Sequence, residues 1–272
     1  MIDKKIGIIG CGNMGEALLS RLARTVEKST SLMVSEADAV RRSHIQTKYR
    51  MIVEIDNNAV VKYSDIVILA VKPKDFENVL RQEICCGMNE TKLLISIAAG
   101  ITTKYIEGAV GKNIPVIRAM PNMGALIGEA VTSLSRGSAA SGKDMETAVG
   151  IFSLIGDVVE VDEELVDAVT AVSGSGPAYF FYMIEALTEA AVSLGLDAGT
   201  ASRLVLKTAL GSAKLLEALK EDPVVLMKRV ASKGGTTEAA LDIFEKKRFK
   251  NIIKDAVKAA HKRSKELSGD RF

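Results

Sequence analysis

The run Gly10-Cys11-Gly12-Asn13-Met14-Gly15 has the spacing G-x-G-x-x-G. Where such a run leaves a strand and opens a helix, it is suited to holding the pyrophosphate of a dinucleotide. Gly10 allows the tight turn, Gly12 lets backbone approach the phosphates, and Gly15 permits close packing of helix on strand. The helix N-terminus adds unpaired N–H groups and the positive end of its dipole. The context here is right, because the apolar run Lys5–Ile9 precedes the turn and a helical pattern over Glu16–Thr25 follows it. About 20 residues past the last glycine, where the ribose is normally read, stand Ser35 and Glu36. A carboxylate there accepts from a free 2′-hydroxyl and repels a 2′-phosphate, which favours NADH. Ser35 could instead hydrogen-bond a phosphate, and Arg41 or Arg42 could pair with one, which favours NADPH. The two readings stay open.

Other chemistry sits at the ends of the next apolar runs. Val71-Lys72-Pro73 ends the most apolar of them, where open α/β sheets bind ligands, and Ile97-Ala98-Ala99-Gly100 leaves room for a nicotinamide ring. Lys72 reads equally as a ligand contact or a solvated lysine. Ser173-Gly174-Ser175-Gly176-Pro177 has the grammar of a helix cap. Ser232-Lys233-Gly234-Gly235-Thr236-Thr237-Glu238 is a glycine-freed loop entering a helix, so its successive N–H groups and two hydroxyls suit a small carboxylate. A capping Thr with Glu238 in the first turn is the plainer alternative.

What is missing narrows the chemistry. The chain has two histidines, His44 and His261, both in polar, charge-rich surroundings, and three cysteines, Cys11, Cys85 and Cys86, with no C-x-x-C pair. Ser-His, Cys-His and zinc chemistries are therefore disfavoured, and no metal is expected. Reducing a ketone by hydride transfer needs a proton donor, usually His or Lys. A protonated C=N group is already electrophilic and needs only orientation and a hydroxyl partner, so an imine acceptor is favoured.

These residues need elements to hold them. Lys5–Ile9, Leu32–Val34, Met51–Val53, Ile66–Val71, Leu93–Ile97 and Pro115–Arg118 read as strands, mostly continuous in apolar residues, with room for crossover helices between them. Ala130–Leu134 and Val158–Val161 extend the sheet around a helix over Lys143–Leu154. After about Asp162 only helices are predicted, over 163–172, 178–194, 198–219, 223–231 and 237–267. The expectation is an α/β chain: a doubly wound, mostly parallel sheet over 1–161, followed by an all-α C-terminal domain over 162–272. The 178–194 stretch is apolar but contains Glu185 and Glu189, so a buried or subunit-interface helix is expected rather than a membrane span. The charged stretch Lys246–Arg271 reads as a solvated face and a frayed end.

Composition agrees: 272 residues, 47% hydrophobic and 26% charged, suit a globular chain with two cores. A formal charge of +2 offers no basic stripe, so no nucleic-acid partner is expected. The N-terminus has no signal-peptide pattern, and a cytoplasmic location is expected.

The chain resembles the pyrroline-5-carboxylate reductase family over essentially its full length. The matching blocks are 6–15, Leu69-Ala70-Val71-Lys72-Pro73, Ser96–Gly100, Arg118-Ala119-Met120-Pro121-Asn122, Val172–Tyr179 and Gly234-Gly235-Thr236-Thr237. The resemblance implies an N-terminal Rossmann domain and a helical domain that interlocks with a partner subunit, giving a homodimer or an assembly of dimers. It implies NADP(H) or NAD(H) held by Ile9, Gly10, Cys11, Gly12, Asn13, Met14, Ser35, Asn57, Ala70, Val71, Lys72, Pro73, Ile97, Ala98 and Ala99. It further implies reduction of 1-pyrroline-5-carboxylate to L-proline, the last step of proline biosynthesis. Ser173, Gly174, Ser175, Gly234, Gly235, Thr236 and Thr237 would face the substrate, the carboxylate lying on the Gly235 and Thr236 backbone and the ring nitrogen at the catalytic Thr237. Two positions depart from the family pattern. Asn122-Met123-Gly124 stands where Asn-Thr-Pro is usual, and Lys233 replaces a proline. The alternatives are a β-hydroxyacid dehydrogenase-like oxidoreductase, which would need a catalytic Lys in the helical half, and a dinucleotide sensor without turnover.

Overall fold

The computed structural model describes residues 4–25, 31–111 and 113–269. Among them the strands form one eight-stranded sheet in the order β3-β2-β1-β4-β5-β6-β7-β8. The strands are β1 (Ile6–Ile9), β2 (Leu32–Ser35), β3 (Val53–Glu54), β4 (Ile66–Leu69), β5 (Leu93–Ser96), β6 (Val116–Met120), β7 (Ala130–Arg136) and β8 (Gly156–Glu160). The first six are parallel, β7 runs antiparallel to β6, and β8 is parallel to β7. The strand order reverses between β1 and β4, so a crevice opens at their carboxyl ends.

All four residues of β1, β4 and β5 are buried, as continuous apolar runs covered on both faces require. One core joins Ile6, Ile8, Ile66, Ile68 and Ile95 to Leu18, Leu19 and Leu22 of α1 (Asn13–Thr25). The other joins Val67, Leu69 and Leu94 to Val60 of α3 (Asn57–Tyr63), Phe76 of α4 (Pro73–Asn78) and Ile106 of α5 (Thr103–Val110). Caps set the helix starts: Asp38 for α2 (Ala39–Tyr49), Asp56 for α3, Thr102 for α5, and a Ser141–Asp144 capping box for α6 (Gly142–Phe152). The predicted strand at 51–53 lies slightly further on, because its ladder pairs Val34 with Val53 and Ser35 with Glu54.

The predicted helix over 163–172 is composite. A 3-10 turn (Glu163–Leu165) leads into α7 (Val166–Val169) and then a π-helical turn (Thr170–Gly174). The Glu163 carboxylate anchors its start by accepting from the Thr103 N–H at 2.7 Å and from the Thr103 hydroxyl. The buried Arg118 guanidinium pairs with the same carboxylate at 3.3 Å.

The chain forms two compact units, one running to Ser175 and resuming from Ala260, the other Gly176–Ala259. The division predicted at 161/162 therefore differs from the compact units by the 163–175 turns and by the C-terminal segment. That segment is no frayed end: Ser264 is buried, and its hydroxyl donates to Asp167 Oδ1 at 2.6 Å. The predicted end at Arg271 lies outside the described residues.

The second unit contains α8 (Gly176–Ser193), α9 (Ala198–Leu219), α10 (Pro223–Val230) and α11 (Thr236–Lys246), and most of it is helical as predicted. The long helix predicted over 237–267 is two helices, α11 and α12 (Phe249–Gly269). Arg248 lies at φ +53, which ends the first helix, and the Phe244 and Phe249 rings stack across the break at 5.2 Å. Among the described residues no helix is long and apolar enough to cross a membrane.

Candidate active site

The Gly-rich turn leaves β1 and opens α1, as its spacing predicts, and the sheet places it at the reversal of strand order. The Gly10 N–H donates to the Ser35 carbonyl at 2.9 Å, and the Ala70 N–H donates to the Ile9 carbonyl at 2.8 Å, tying the turn to both neighbouring strands. Gly10 has φ +86, and a Cβ there would press on the Ala70 carbonyl at 3.0 Å. A Cβ on Gly15 would collide with the Gly10 carbonyl oxygen. A Cβ on Gly12 would meet nothing within 4 Å. Two glycines are thus required by the protein's own packing, while the third faces empty space where a ligand can approach. Gly12 and Asn13 are exposed, Met14 is half-buried, and Ile9 is wholly buried, so only backbone of Ile9 can serve a ligand.

Cys11 is buried, and that burial, with the Glu16 carboxylate beside it, pushes its thiol up to about 12. It is an inert spacer in the turn.

At the end of β2 the two residues left undecided by sequence part ways. Ser35 is 1% exposed, and its hydroxyl donates to Asn57 Oδ1 at 2.5 Å, while the Asn57 amide donates to Glu83 at 2.6 Å. The hydroxyl hydrogen is thus spent inside the protein, and in this conformation the Ser35 hydroxyl does not donate to a phosphate. Glu36 is half-exposed and lies against the Gly-rich turn. Its Oε2 accepts from the Cys11 N–H at 2.8 Å and its Oε1 from the Asp38 N–H at 2.9 Å.

Sequence reasoning missed Glu16. Standing in the first turn of α1, it accepts from Arg41 Nη2 at 2.5 Å, Lys48 Nζ at 2.7 Å and the Tyr49 hydroxyl at 3.1 Å. Burial pushes its carboxyl up, but the Lys48 and Tyr49 hydrogen bonds and the Arg41 charge outweigh that and hold it below the ordinary value. The available signal was an acid placed directly after Gly15, with basic residues on α2 at a spacing of one or two helical turns.

The neighbouring strand ends complete the crevice. Ala70 and Val71 are half-buried, Lys72 is exposed at the N-cap of α4, and Pro73 takes the first helical position. After β5, Ile97 and Ala99 are half-buried and Ala98 is buried. Register places Ile9 beside Leu69 and Leu69 beside Ser96, so these three strand ends lie in a row. Gly100, at φ +73, packs against the Leu267 backbone. A surface concavity of about 540 Å³ is lined by Arg136, Met145 and residues 160–165.

Of the residues matched to the substrate signatures, Ser173 accepts from the Asn122 side-chain amide at 3.3 Å, and Gly174 and Ser175 close the π-helical turn. Asn122 also caps the 3-10 turn Met123–Leu126, receiving the Gly124 N–H at 3.0 Å. A Cβ at Gly124 would strike the Glu129 carbonyl, so this turn is stabilised by glycine without the usual proline.

In the second unit the predicted carboxylate loop is only partly open. Gly234, at φ +74, turns its N–H back onto Glu238, which accepts it at 2.6 Å, and the Gly235 N–H donates to the Ser232 carbonyl at 3.0 Å. The expected contribution of these two N–H groups is taken up by the loop itself, because a first-turn Glu and the four-residue turn Ser232–Gly235 satisfy them locally. The N–H groups of Thr236 and Thr237, at the start of α11, remain for a ligand. Among the described residues neither threonine hydroxyl has a partner, Thr237 is half-buried, and Lys233 is exposed.

The residues fit a dinucleotide: an open glycine at a helix N-terminus, tight glycines on either side, and a carboxylate at the ribose position. Sheet order and turn together define a Rossmann-type dinucleotide-binding protein. Residues 5–100 match the family model for NADP oxidoreductase, coenzyme F420-dependent, and residues 163–267 match that for pyrroline-5-carboxylate reductase dimerisation. The chain is 41% identical to a pyrroline-5-carboxylate reductase of Synechocystis, covering 97% of this chain and 98% of that one. A Coxiella burnetii pyrroline-5-carboxylate reductase superposes with a TM-score of 0.91 at 33% identity, covering 97% of this chain and 98% of that one. The Plasmodium falciparum pyrroline carboxylate reductase, whose crystal structure holds NADP, superposes at 0.87 with 30% identity, covering 99% of this chain and all of that one. The chain belongs to the pyrroline-5-carboxylate reductase family.

Proposed function

We propose that this chain reduces 1-pyrroline-5-carboxylate to L-proline with NADPH or NADH, the closing step of proline biosynthesis. The observation that carries the reading is the open cradle at Gly12, set at the switch point of the sheet in a chain that its reductase relatives match from end to end. A reduced nicotinamide supplies a hydride. The protein's part is to bind and orient. Backbone of Gly10–Gly15 faces the pyrophosphate, and Ala70–Pro73 and Ile97–Ala99 line the nicotinamide side. The Thr236 and Thr237 N–H groups receive the substrate carboxylate, and the Thr237 hydroxyl accepts from the iminium N–H. Each such hydrogen bond contributes on the order of 1 kcal/mol, more when charged. The iminium carbon is electrophilic as it stands, so orientation, with no strong acid, supplies most of the acceleration.

The working unit is a homodimer or an assembly of dimers. In the single chain Phe180, Phe181 and Tyr182 of α8 are 72, 59 and 74% exposed, which supports an interface role for that apolar helix over burial within the chain. We also propose a cytoplasmic location, where a reduced-dinucleotide pool can serve the reaction.

The test mixes the purified chain with NADH or NADPH and racemic 1-pyrroline-5-carboxylate and follows the reduced nicotinamide absorbance. Signal loss that depends on the imine is expected. Dinucleotide binding without oxidation would make the chain a sensor, and oxidation of a β-hydroxyacid by NAD or NADP in its place would make it a dehydrogenase.

A further inference from the structure

We propose that Arg118 is a positioning residue for imine reduction: acting through Glu163, it fixes where the Ser173–Ser175 turn stands. The inference rests on the reductase reading and adds to it a buried side chain that works through another residue.

Register places Arg118 of β6 beside Ser96 of β5, so it continues the row of strand ends formed by Ile9, Leu69 and Ser96. Its guanidinium is 3% exposed and pairs through Nη1 with Glu163 Oε1 at 3.3 Å. Arg118 Nη2 finds no hydrogen-bond partner among the described residues, which makes the Glu163 contact weigh more. A buried guanidinium holds its counter-ion firmly, since parting from it would strand a charge away from water. The same carboxylate accepts from the Thr103 N–H at 2.7 Å and from the Thr103 hydroxyl, so Glu163 is fixed from two sides.

Alternate residues of β6 and of the chain just beyond it grip the segment Glu163–Gly174 at both ends. Arg118 takes Glu163 at its start. Asn122 donates its side-chain amide to Ser173 Oγ at 3.3 Å and to the Ser173 carbonyl at 3.4 Å. Between them Met120 packs so close to Gly174 that a Cβ there would stand 2.9 Å from its methyl. The two spans match. Four extended steps from Arg118 to Asn122 cover about 13 Å, and ten helical steps from Glu163 to Ser173 cover about 15 Å. The middle of the segment has its own anchor, because the Ser264 hydroxyl donates to Asp167 Oδ1 at 2.6 Å. Loss of the Glu163 anchor therefore tilts the segment about its middle and displaces its far end, without releasing it. That far end is the π-helical turn Thr170–Gly174, closed by the Ser175 N–H on the Thr170 carbonyl at 2.9 Å, and turns of this kind recur at functional sites.

The experiment measures steady-state imine reduction by the full-length chain, with calorimetric Kd for NADH and NADPH and thermal unfolding on the same samples. Arg118→Met keeps the length of the side chain and removes its charge. It should raise KM for 1-pyrroline-5-carboxylate about tenfold, with kcat within about threefold and both dinucleotide Kd values within about twofold. Arg118 and Asn122 hold one segment, so the KM change in Arg118→Met with Asn122→Ala should depart from the product of the single changes by about threefold or more. Thr103→Val keeps the shape and removes one hydrogen bond to Glu163, so it loosens the same anchor where Arg118→Met does not fold, and should raise KM about threefold. A purely structural role would lower the unfolding midpoint and leave KM where it was. An unmoved KM in either folded variant, strictly multiplicative effects, or dinucleotide Kd rising in step with KM would overturn the proposal alone. Absence of imine-dependent turnover by the unaltered protein would overturn the reductase reading, and this proposal with it.

Discussion

Gly12→Val separates the protein's own needs from those of its ligand. An ideal Cβ on Gly12 meets nothing within 4 Å, and its backbone lies outside the left-handed region. The residue acts as the N-cap of α1, its carbonyl accepting the Glu16 N–H at 2.9 Å. Exchanging Gly for an aliphatic residue at an N-cap costs about 0.5–1 kcal/mol. For a chain of this size that lowers the midpoint of thermal unfolding by roughly 4 °C or less. The ligand fares differently. The pyrophosphate must come within about 2.9 Å of backbone N–H groups in the space that the two valine methyls would fill. Losing even one or two charge-assisted hydrogen bonds removes roughly 3 kcal/mol, about 100-fold in Kd. The control is Gly15→Ala, whose Cβ would strike the Gly10 carbonyl and lie 3.3 Å from the Ala70 methyl. Overpacking of that kind costs typically about 1–3 kcal/mol, so this smaller change should be the more destabilising. Calorimetric Kd for NADH and NADPH, with thermal unfolding on the same samples, reads both quantities. If Gly12→Val binds either dinucleotide within about threefold of the unaltered protein, or if it unfolds as early as Gly15→Ala, the reasoning fails.

Three further outcomes are expected. Thr237→Val should lower kcat/KM for the imine by about tenfold, the value of one good hydrogen bond, while the dinucleotide Kd stays within about twofold; unchanged turnover would remove Thr237 from the mechanism. Glu238→Gln keeps an acceptor for the Gly234 N–H and removes a negative charge beside the proposed carboxylate site, so KM for the imine should fall by roughly threefold, with a rise or no change placing the carboxylate elsewhere. Glu16 has its folded-state value lowered below the ordinary 4.5, so its contribution is full above that value and disappears as pH falls through the folded one. Urea midpoints of the unaltered protein and Glu16→Gln should therefore differ at pH 7 and converge in acid, and a gap independent of pH would refute the assignment.

Much of the architecture was legible because the physics acting on it is local. Continuous runs such as Ile66–Leu69 read as strands covered on both sides, and G-x-G-x-x-G next to such a run specifies a turn, a close approach and a helix start. The helices Ala198–Leu219 and Pro223–Val230 start where the sequence pattern predicts, and each carries its own cap, Asp197 and Asp222. The break at Arg248 was not legible, since no Gly or Pro marks it and the ring contact between Phe244 and Phe249 forms only once the chain has turned. The docking of Ser264 on Asp167 is equally silent, because it joins residues 97 apart through two small polar groups.

The residues themselves determined that this chain makes a mostly parallel sheet, that a glycine-rich turn suited to a dinucleotide follows its first strand, and which family it belongs to. Tertiary structure alone decided what each polar group near that turn can still do. Ser35 and Glu36 are neighbours with comparable promise in one dimension, yet one hydroxyl is spent on Asn57 while the other's carboxylate is held open at the turn. Gly234 and Glu238 likewise satisfy one another across a single turn. A hydrogen-bonding group has a fixed number of positions, and only the folded chain determines which partners reach them first.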